Sequence, residues 1–168
     1  SGGEPLLQMD FLTEFFKKAK AEGVHTNLDT SGNPFTDQEP WHSGWLELMK
    51  YTDLVMLDIK QIDEQEHIKL TGHSNKNILA MARELSDMKK PVWIRHVLMP
   101  GGSDKDEYLH RLADFIHTLS NVERVEVLPY HTLGKFKWEN LGLSYPLEGV
   151  NPPTQERIDN ARKILGAI

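Results

Sequence analysis

Short apolar runs of strand type alternate with amphipathic helical stretches along nearly the whole chain, and this alternation restricts the fold more than any other feature. Met9–Ala21 places Phe11, Leu12, Phe15, Phe16 and Ala19 at helical spacing, with Lys17, Lys18 and Lys20 opposite, and Gly23 stops it. Residues 24–29 are short and β-prone and run into the turn cluster Asp29-Thr30-Ser31-Gly32. A weaker helix covers 44–50. Residues 53–60 are a nearly continuous apolar run (Leu54, Val55, Met56, Leu57, Ile59), the pattern of a strand covered on both faces. Residues 75–89 are helical, with Ile78, Leu79, Ala82 and Leu85 on one side. Residues 91–99 are a strand closed by Pro100-Gly101-Gly102. Ser103 with Asp106 three residues on reads as a capping box, opening a helix whose stripe is Leu109, Leu112, Ala113, Ile116 and Leu119. A last strand, 124–130, ends at His131. A long polar loop leads to Pro152-Pro153 and a final helix, 154–165, with Ile158, Ala161 and Leu165 inward.

One helix followed by four strand–helix units implies an α/β fold with a parallel sheet and right-handed crossovers. Two architectures satisfy that order: a small open doubly wound sheet, or part of a βα barrel. A full eight-unit barrel takes about 250 residues, and this chain has 168. No linker divides it, so residues 1–168 are expected to form one domain. The first residues, Ser1-Gly2-Gly3-Glu4-Pro5, lack a Met, which suggests a processed chain or a piece of a longer one.

Charge and composition narrow the function classes. With 25 acidic against 19 basic residues the net charge is −6, the wrong balance for a polyanion partner such as nucleic acid. No apolar run approaches the roughly 18 residues of a membrane span. The first ten residues hold no basic n-region and no apolar h-region, so the expected compartment is cytoplasmic. The chain has no cysteine, which excludes disulfides, thiolate catalysis and any iron–sulfur cluster held by its own thiolates.

Both architectures place a ligand at the carboxyl ends of the strands. There the sequence supplies Asp29, Thr30 and Ser31; Asp58 and Lys60; Arg95 beside His96; and Tyr130 with His131. Gly2-Gly3-Glu4-Pro5 lies before the first helix. Plainer roles compete with each. Asp29 can be an Asx-turn residue, Lys60 a solvated strand end, and the two glycines an ordinary tight turn. Arg95 and His96 point to opposite faces, so at most one faces a barrel interior. A buried Arg needs an anion, and Asp58 on the neighbouring strand or a ligand carboxylate would serve. His110 and His117 read as solvent-facing, and Trp41 with Trp45 as packing.

Taken together, Gly2-Gly3-Glu4-Pro5, Leu28-Asp29-Thr30-Ser31-Gly32, Met56-Leu57-Asp58-Ile59-Lys60, Val92-Trp93-Ile94-Arg95 and Leu128-Pro129-Tyr130-His131-Thr132-Leu133-Gly134-Lys135 resemble the pyruvate formate-lyase activating enzymes. These are radical S-adenosylmethionine (radical SAM) activases that generate a glycyl radical. The resemblance runs the length of the chain. It implies the last four βα units of a (βα)6 barrel. The family's first strand and following loop, with a C-x-x-x-C-x-x-C motif for a [4Fe–4S] cluster, would lie outside this sequence, in roughly 75 residues if two βα units of at least about 30 residues each and an N-terminal extension are missing.

The resemblance also implies roles. Residues 2–5 (Gly2, Gly3, Glu4, Pro5) would contact the methionine amino group of SAM through their backbone. Asp58 would hold that amino group and Lys60 the carboxylate. His131 would touch the adenosyl part, and Val97 and Leu128 would line the nucleoside pocket. Asp29, Thr30, Met56 and Asp58 resemble a monovalent cation site, and Arg95 would lie near the sulfonium or the target glycine. SAM and the cluster together would give a 5′-deoxyadenosyl radical that takes hydrogen from a glycine of pyruvate formate-lyase. An electron donor such as flavodoxin is implied for the parent enzyme. Lacking cluster ligands, this chain alone is expected to be inactive and at best a weak SAM binder. An exposed sheet edge is expected to drive dimerisation. Two other readings compete: a cysteine-free nucleotide- or peptide-binding module on the same scaffold, and an α/β enzyme using Asp58, Lys60 and His131 for acid–base chemistry on a phosphate or aldol substrate.

Overall fold

The computed structural model describes residues 3–167. A 3-10 turn, Pro5–Gln8, opens into helix α1 (Met9–Ala21), followed by β1 (Asn27–Thr30), α2 (Trp41–Lys50), β2 (Leu54–Asp58), α3 (Glu64–Thr71) and α4 (Lys76–Asp87). Then come β3 (Val92–Leu98), α5 (Asp106–His117), β4 (Val122–Pro129), α6 (Lys135–Asn140) and α7 (Gln155–Leu165). The four strands form one parallel sheet in the order β1-β2-β3-β4. Gly2 lies outside the described residues. No helix among the described residues is long and apolar enough to cross a membrane.

Alternation along the strands decides which face is covered. In β3, Val92, Ile94, His96 and Leu98 are buried, whereas Trp93, Arg95 and Val97 are only partly so. Leu28, Val55, Leu57, Val125 and Val127 continue the buried face. Those side chains join one core with Trp45, Leu48 and Met49 of α2, Met81 and Leu85 of α4, Leu109 and Leu112 of α5, and Ala161 and Leu165 of α7. The opposite face carries Asn27, Asp29, Met56, Asp58, Trp93, Arg95, Val97, Arg124, Glu126 and Leu128, and none of these is buried. A doubly wound sheet would be covered on both faces. Helices on one face and an open, polar inner face are the layout of a partial βα barrel.

Four details of the sequence reading change. Residues 53–60 are not covered on both faces, because Met56 and Asp58 lie on the open side. The α1 stripe splits: Phe16 is buried and Leu12 packs beside it, but Phe11 is 67% exposed and Phe15 55%. Phe11 and Phe15 stack on each other at 6.1 Å on the outer surface. Ser103 does not cap α5, which starts three residues later after Lys105. Instead Ser103 Oγ donates to Val97 O at 2.5 Å and accepts from Met99 N at 2.9 Å, tying down the turn after β3. Helix α6 interrupts what reads as a long loop, and α3 falls where the sequence reading names no element.

Candidate functional site

Register fixes which open-face residues are neighbours. Asp29, Met56 and Trp93 lie side by side across β1, β2 and β3, and Arg124 continues the row on β4. The next row towards the carboxyl ends is Asp58, Arg95 and Glu126. Val97 and Leu128 pair above it. The result is a layered wall: an apolar strip at the rim, then a charged row, then a row mixing charge with Met56 and Trp93.

Arg95 is the hub of the charged rows. Its Nη1 donates to both carboxylate oxygens of Asp29 at 2.8 Å. Its Nε lies 4.0 Å from Asp58 Oδ1 and 3.9 Å from Glu126 Oε2, too far for hydrogen bonds. Arg95 Nε and Asp58 Oδ1 are both buried atoms without a hydrogen-bond partner. Of the anions expected for Arg95, Asp58 across the sheet or a ligand carboxylate, Asp58 stays 4.0 Å from Nε, and the long side chain reaches Asp29 instead. Asp58 spends its other oxygen on Lys60, whose Nζ donates to Oδ2 at 2.7 Å. Arg124 Nε sits 3.1 Å from Glu126 Oε1, with its guanidinium 4.8 Å from the centre of the Trp93 ring. Cation–π contact of this kind suits an Arg that keeps few water contacts.

The residues before α1 are joined to this wall by Glu4. Its Oε1 accepts from Leu6 N at 3.1 Å, capping the 3-10 turn, and from Thr30 Oγ1 at 2.5 Å. Its Oε2 accepts from Ser31 N at 2.9 Å and Ser31 Oγ at 2.6 Å. The carboxylate thus pins the Gly3-Glu4-Pro5 backbone to the carboxyl end of β1. Thr30 is buried, its hydroxyl given to Glu4 while accepting from Gly32 N at 3.0 Å. Its side chain therefore faces away from the Asp29, Met56 and Asp58 side chains.

A cavity of about 500 Å³ lies between these parts, lined by Gly3, Glu4, Pro5, Asp29, Ser31 and Asp58 among others. That volume lies within the range of small-molecule sites. A second cavity of about 140 Å³ adjoins it, lined by Ser31, Asn33, Asp58, Lys60 and His67 among others. His131 is exposed just beyond β4. The loop that follows is anchored by Tyr130, whose hydroxyl meets that of Tyr145 at 2.7 Å, a bond that pushes the Tyr130 pKa up to about 12. The structure therefore brings Gly3, Glu4, Pro5, Asp29 and Asp58 around the larger cavity and Asp58 with Lys60 around the smaller one; Met56, Arg95, Val97 and Leu128 share the open face of the sheet with Asp29 and Asp58.

Sequence reasoning missed Trp93, Arg124 and Glu126 as members of the wall. Their signal was the alternation of Val125 and Val127 with Arg124, Glu126 and Leu128. It also missed His67, on a helix with no apolar stripe to betray it.

Comparison with known proteins gives this geometry a lineage. Residues 1–114 match the radical SAM superfamily. The chain belongs to that superfamily. It is 56% identical over 165 residues to a pyruvate formate-lyase-activating enzyme of Streptococcus mutans serotype c, covering 98% of this chain and 63% of that protein. It is 57% identical over 165 residues to the pyruvate formate-lyase-activating enzyme of Staphylococcus epidermidis, covering 98% of this chain and 66% of that one. The radical SAM chain thus spans about two thirds of the length of these relatives. A crystal structure of a domain of the pyruvate-formate lyase-activating enzyme from Bacteroides vulgatus superposes with a TM-score of 0.78, covering 99% of this chain and 90% of that one at 24% identity. This last likeness speaks to fold. The resemblance carried by the five sequence segments and the partial-barrel reading are both borne out.

Proposed function

We propose that this chain is the carboxyl-terminal portion of a pyruvate formate-lyase-activating enzyme and that its mouth holds the methionyl end of SAM. The observation that carries the reading is Asp58 Oδ1, a buried carboxylate oxygen without a partner, set beside Lys60. SAM presents an ammonium, a carboxylate and a sulfonium. Asp58 Oδ1 and the Gly3-Glu4-Pro5 backbone would take the ammonium, and Lys60 the carboxylate. Val97 and Leu128 would carry the nucleoside, with His131 at its outer edge. Asp29, Met56 and Asp58 offer soft and hard donors for a monovalent cation, with Thr30 contributing through its main chain. Arg95 would hold Asp29 in place and present positive charge where the target glycine enters.

When bound, SAM with a reduced [4Fe–4S] cluster supplies the radical that removes hydrogen from glycine. This chain's residues bind, orient and exclude water, which strengthens every charge contact in the mouth. The chain has no cysteine with which to ligate the cluster, so we assign it no radical activity by itself and only weak affinity for SAM. The partners of the parent would be a glycyl-radical enzyme, entering through its glycine loop, and a one-electron donor such as flavodoxin. A cytoplasmic setting fits both.

Calorimetric titration of SAM into the chain tests the reading. Binding weaker than micromolar in the wild type and lost in Asp58→Ala is expected. Sub-micromolar affinity would overturn the dependence on the cluster, and an unchanged isotherm in Asp58→Ala would overturn the site.

A further inference from the structure

His67 is a buried imidazole that the proposed SAM contacts leave unused. It is 2% exposed and is the buried side chain of α3. Its Nδ1 lies 2.7 Å from the His73 carbonyl oxygen. A carbonyl only accepts, so Nδ1 carries the hydrogen. Thr71 Oγ1, 3.1 Å from Nδ1, donates its own hydrogen to His67 O at 2.8 Å and cannot supply one to the ring. In the neutral imidazole Nε2 therefore keeps its lone pair. That atom is buried and has no hydrogen-bond partner. An orphaned buried acceptor is rare enough to point to a missing donor.

The candidate donor shares its cavity. His67 lines the space of about 140 Å³ together with Asp58 and Lys60. At roughly 30 Å³ per water molecule, this is room for only a handful of waters. Ser31 spends its hydroxyl hydrogen on Glu4; Asn33 and His73 also line the space, but Lys60 alone among them is bonded to the carboxylate that a ligand's ammonium would claim. Lys60 brings three N–H bonds on a flexible stem, and one already goes to Asp58 Oδ2.

We propose that His67 is a positioning residue: its Nε2 accepts a hydrogen from Lys60 Nζ when a ligand's ammonium docks on Asp58 Oδ1 and drives Lys60 off the neighbouring Oδ2. The inference rests on the reading of the mouth given above. An incoming ammonium and the Lys60 ammonium compete for one carboxylate and repel each other at short range. A neutral acceptor in the adjoining cavity draws Lys60 aside without neutralising it. Its remaining N–H bonds stay free for the ligand's carboxylate. Lys60 thereby substitutes for the ligand's cation in the empty site and binds its anion in the filled one.

Nitrogen-15 NMR of the histidine rings tests this on the chain as it stands, with His67→Asn assigning the signal. Asparagine keeps a donor towards His73 O and lacks Nε2. Asp58→Asn frees Lys60 without any ligand, and the His67 Nε2 resonance should move in the direction expected for a lone pair that gains a hydrogen bond. The double variant Asp58→Asn, Lys60→Met should abolish that movement. Saturating SAM should produce the same shift in the wild type, and His67→Asn, melting within a few degrees of it, should bind SAM about tenfold more weakly, the worth of one charge-assisted hydrogen bond. A resonance unmoved by Asp58→Asn, or moved equally in the double variant, overturns the proposal. If SAM shifts the Gly3 and Ser31 amides but not the His67 ring, the site stands and the lysine transfer falls. If Asp58→Asn moves the ring while SAM moves nothing, the transfer stands and the SAM reading falls.

Discussion

Replacing Glu4 by Gln tests whether one carboxylate holds the segment before α1 against the sheet. The four groups around it are all donors: Leu6 N, Thr30 Oγ1, Ser31 N and Ser31 Oγ. A carboxylate answers them because both its oxygens accept. A glutamine has one oxygen and one NH2, so either orientation turns the NH2 on a backbone N–H, at Leu6 or at Ser31. The two hydroxyls can rotate, but the backbone donor cannot. Orphaning it costs about 1–3 kcal/mol, and the remaining bonds lose their charge assistance. The site is half open to water, which argues for the middle of that range, about 2 kcal/mol. If the segment is integral to the fold, Tm should drop by roughly 4–8 °C for a chain of this size. If the segment instead detaches locally, the melt is spared and the Ser31 amide exchanges about 30-fold faster, the same free energy read locally. Thermal denaturation and hydrogen exchange on one sample cover both cases. A Tm within 1 °C of wild type together with unchanged Ser31 protection would refute the assignment of Glu4 as the tie.

Further outcomes follow from the same coordinates. Gly32→Ala should cost about 2 kcal/mol in urea unfolding, because φ is +71° there and a Cβ would meet Leu57 Cδ1 at 2.8 Å. Burial holds the His96 pKa below its ordinary 6.5, although both ring nitrogens face carbonyls, Ile59 O at 2.8 Å and Ser103 O at 3.3 Å. Below about pH 6.5 the unfolded chain binds a proton that the folded one refuses, so His96 stability is complete above that pH and declines beneath it by at most about 1.4 kcal/mol per pH unit. A His96→Gln variant should show a shallower acid loss than wild type, and identical slopes would exclude His96 as the cause. The free edge of β1 and the exposed Phe11 and Phe15 of α1 should drive self-association. Light scattering at high concentration should detect a dimer that Phe11→Ser, Phe15→Ser weakens, and a monomer throughout would refute it.

The sequence made the fold legible because its strands and helices differ in period. Val92, Ile94, His96 and Leu98 against Trp93, Arg95 and Val97 is a two-residue alternation that locates the core face directly. Helix α4 follows its apolar stripe just as plainly, with Ile78, Met81, Ala82 and Leu85 buried. Helix α3 escaped because it packs through His67 alone. Its ends were nonetheless written in the sequence: Asp63 Oδ1 caps Gln65 N and Glu66 N at 3.1 Å, and Gly72 closes it in the left-handed region. Candidate site residues were legible where a charge stands in the middle or at the carboxyl end of a strand, as for Arg95 and Asp58, whereas Val97 and Leu128 came only from the family resemblance. Pairing between strands was not legible, because register sets which charges meet. Register alone does not settle Arg95 either: it faces Asp58 across the sheet, yet its long side chain reaches diagonally to Asp29. The Phe11 and Phe15 error has a different origin. Helical periodicity marks an apolar stripe but does not say whether anything covers all of it.

The charge pattern of the mouth bears on which ligand it can accept. Three carboxylates, Asp29, Asp58 and Glu126, interleave with three cations, Lys60, Arg95 and Arg124. These six are neutral in sum and each neighbours its opposite, while Glu4, a fourth carboxylate at the mouth, is held by four hydrogen-bond donors instead of a cation. A zwitterion would match this pattern: its ammonium would meet Asp58 Oδ1, its carboxylate would take Lys60, and no charge would be left stranded in a poorly hydrated place. A phosphate monoester would not. It would bring two negative charges against three carboxylates and release only the cations they already hold. Nor does a glycine-rich helix start offer backbone donors for it, since Gly101-Gly102 leads into the turn that Ser103 locks to Val97 and Met99. The same balance weakens the alternative of acid–base chemistry on a phosphate substrate. Lys60 and Asp58 are spent on each other, and His131 stands at the exposed margin, not in the charged row. The interleaved charges of the wall would suit an amino acid-like ligand, which is the physical support they lend to the SAM reading.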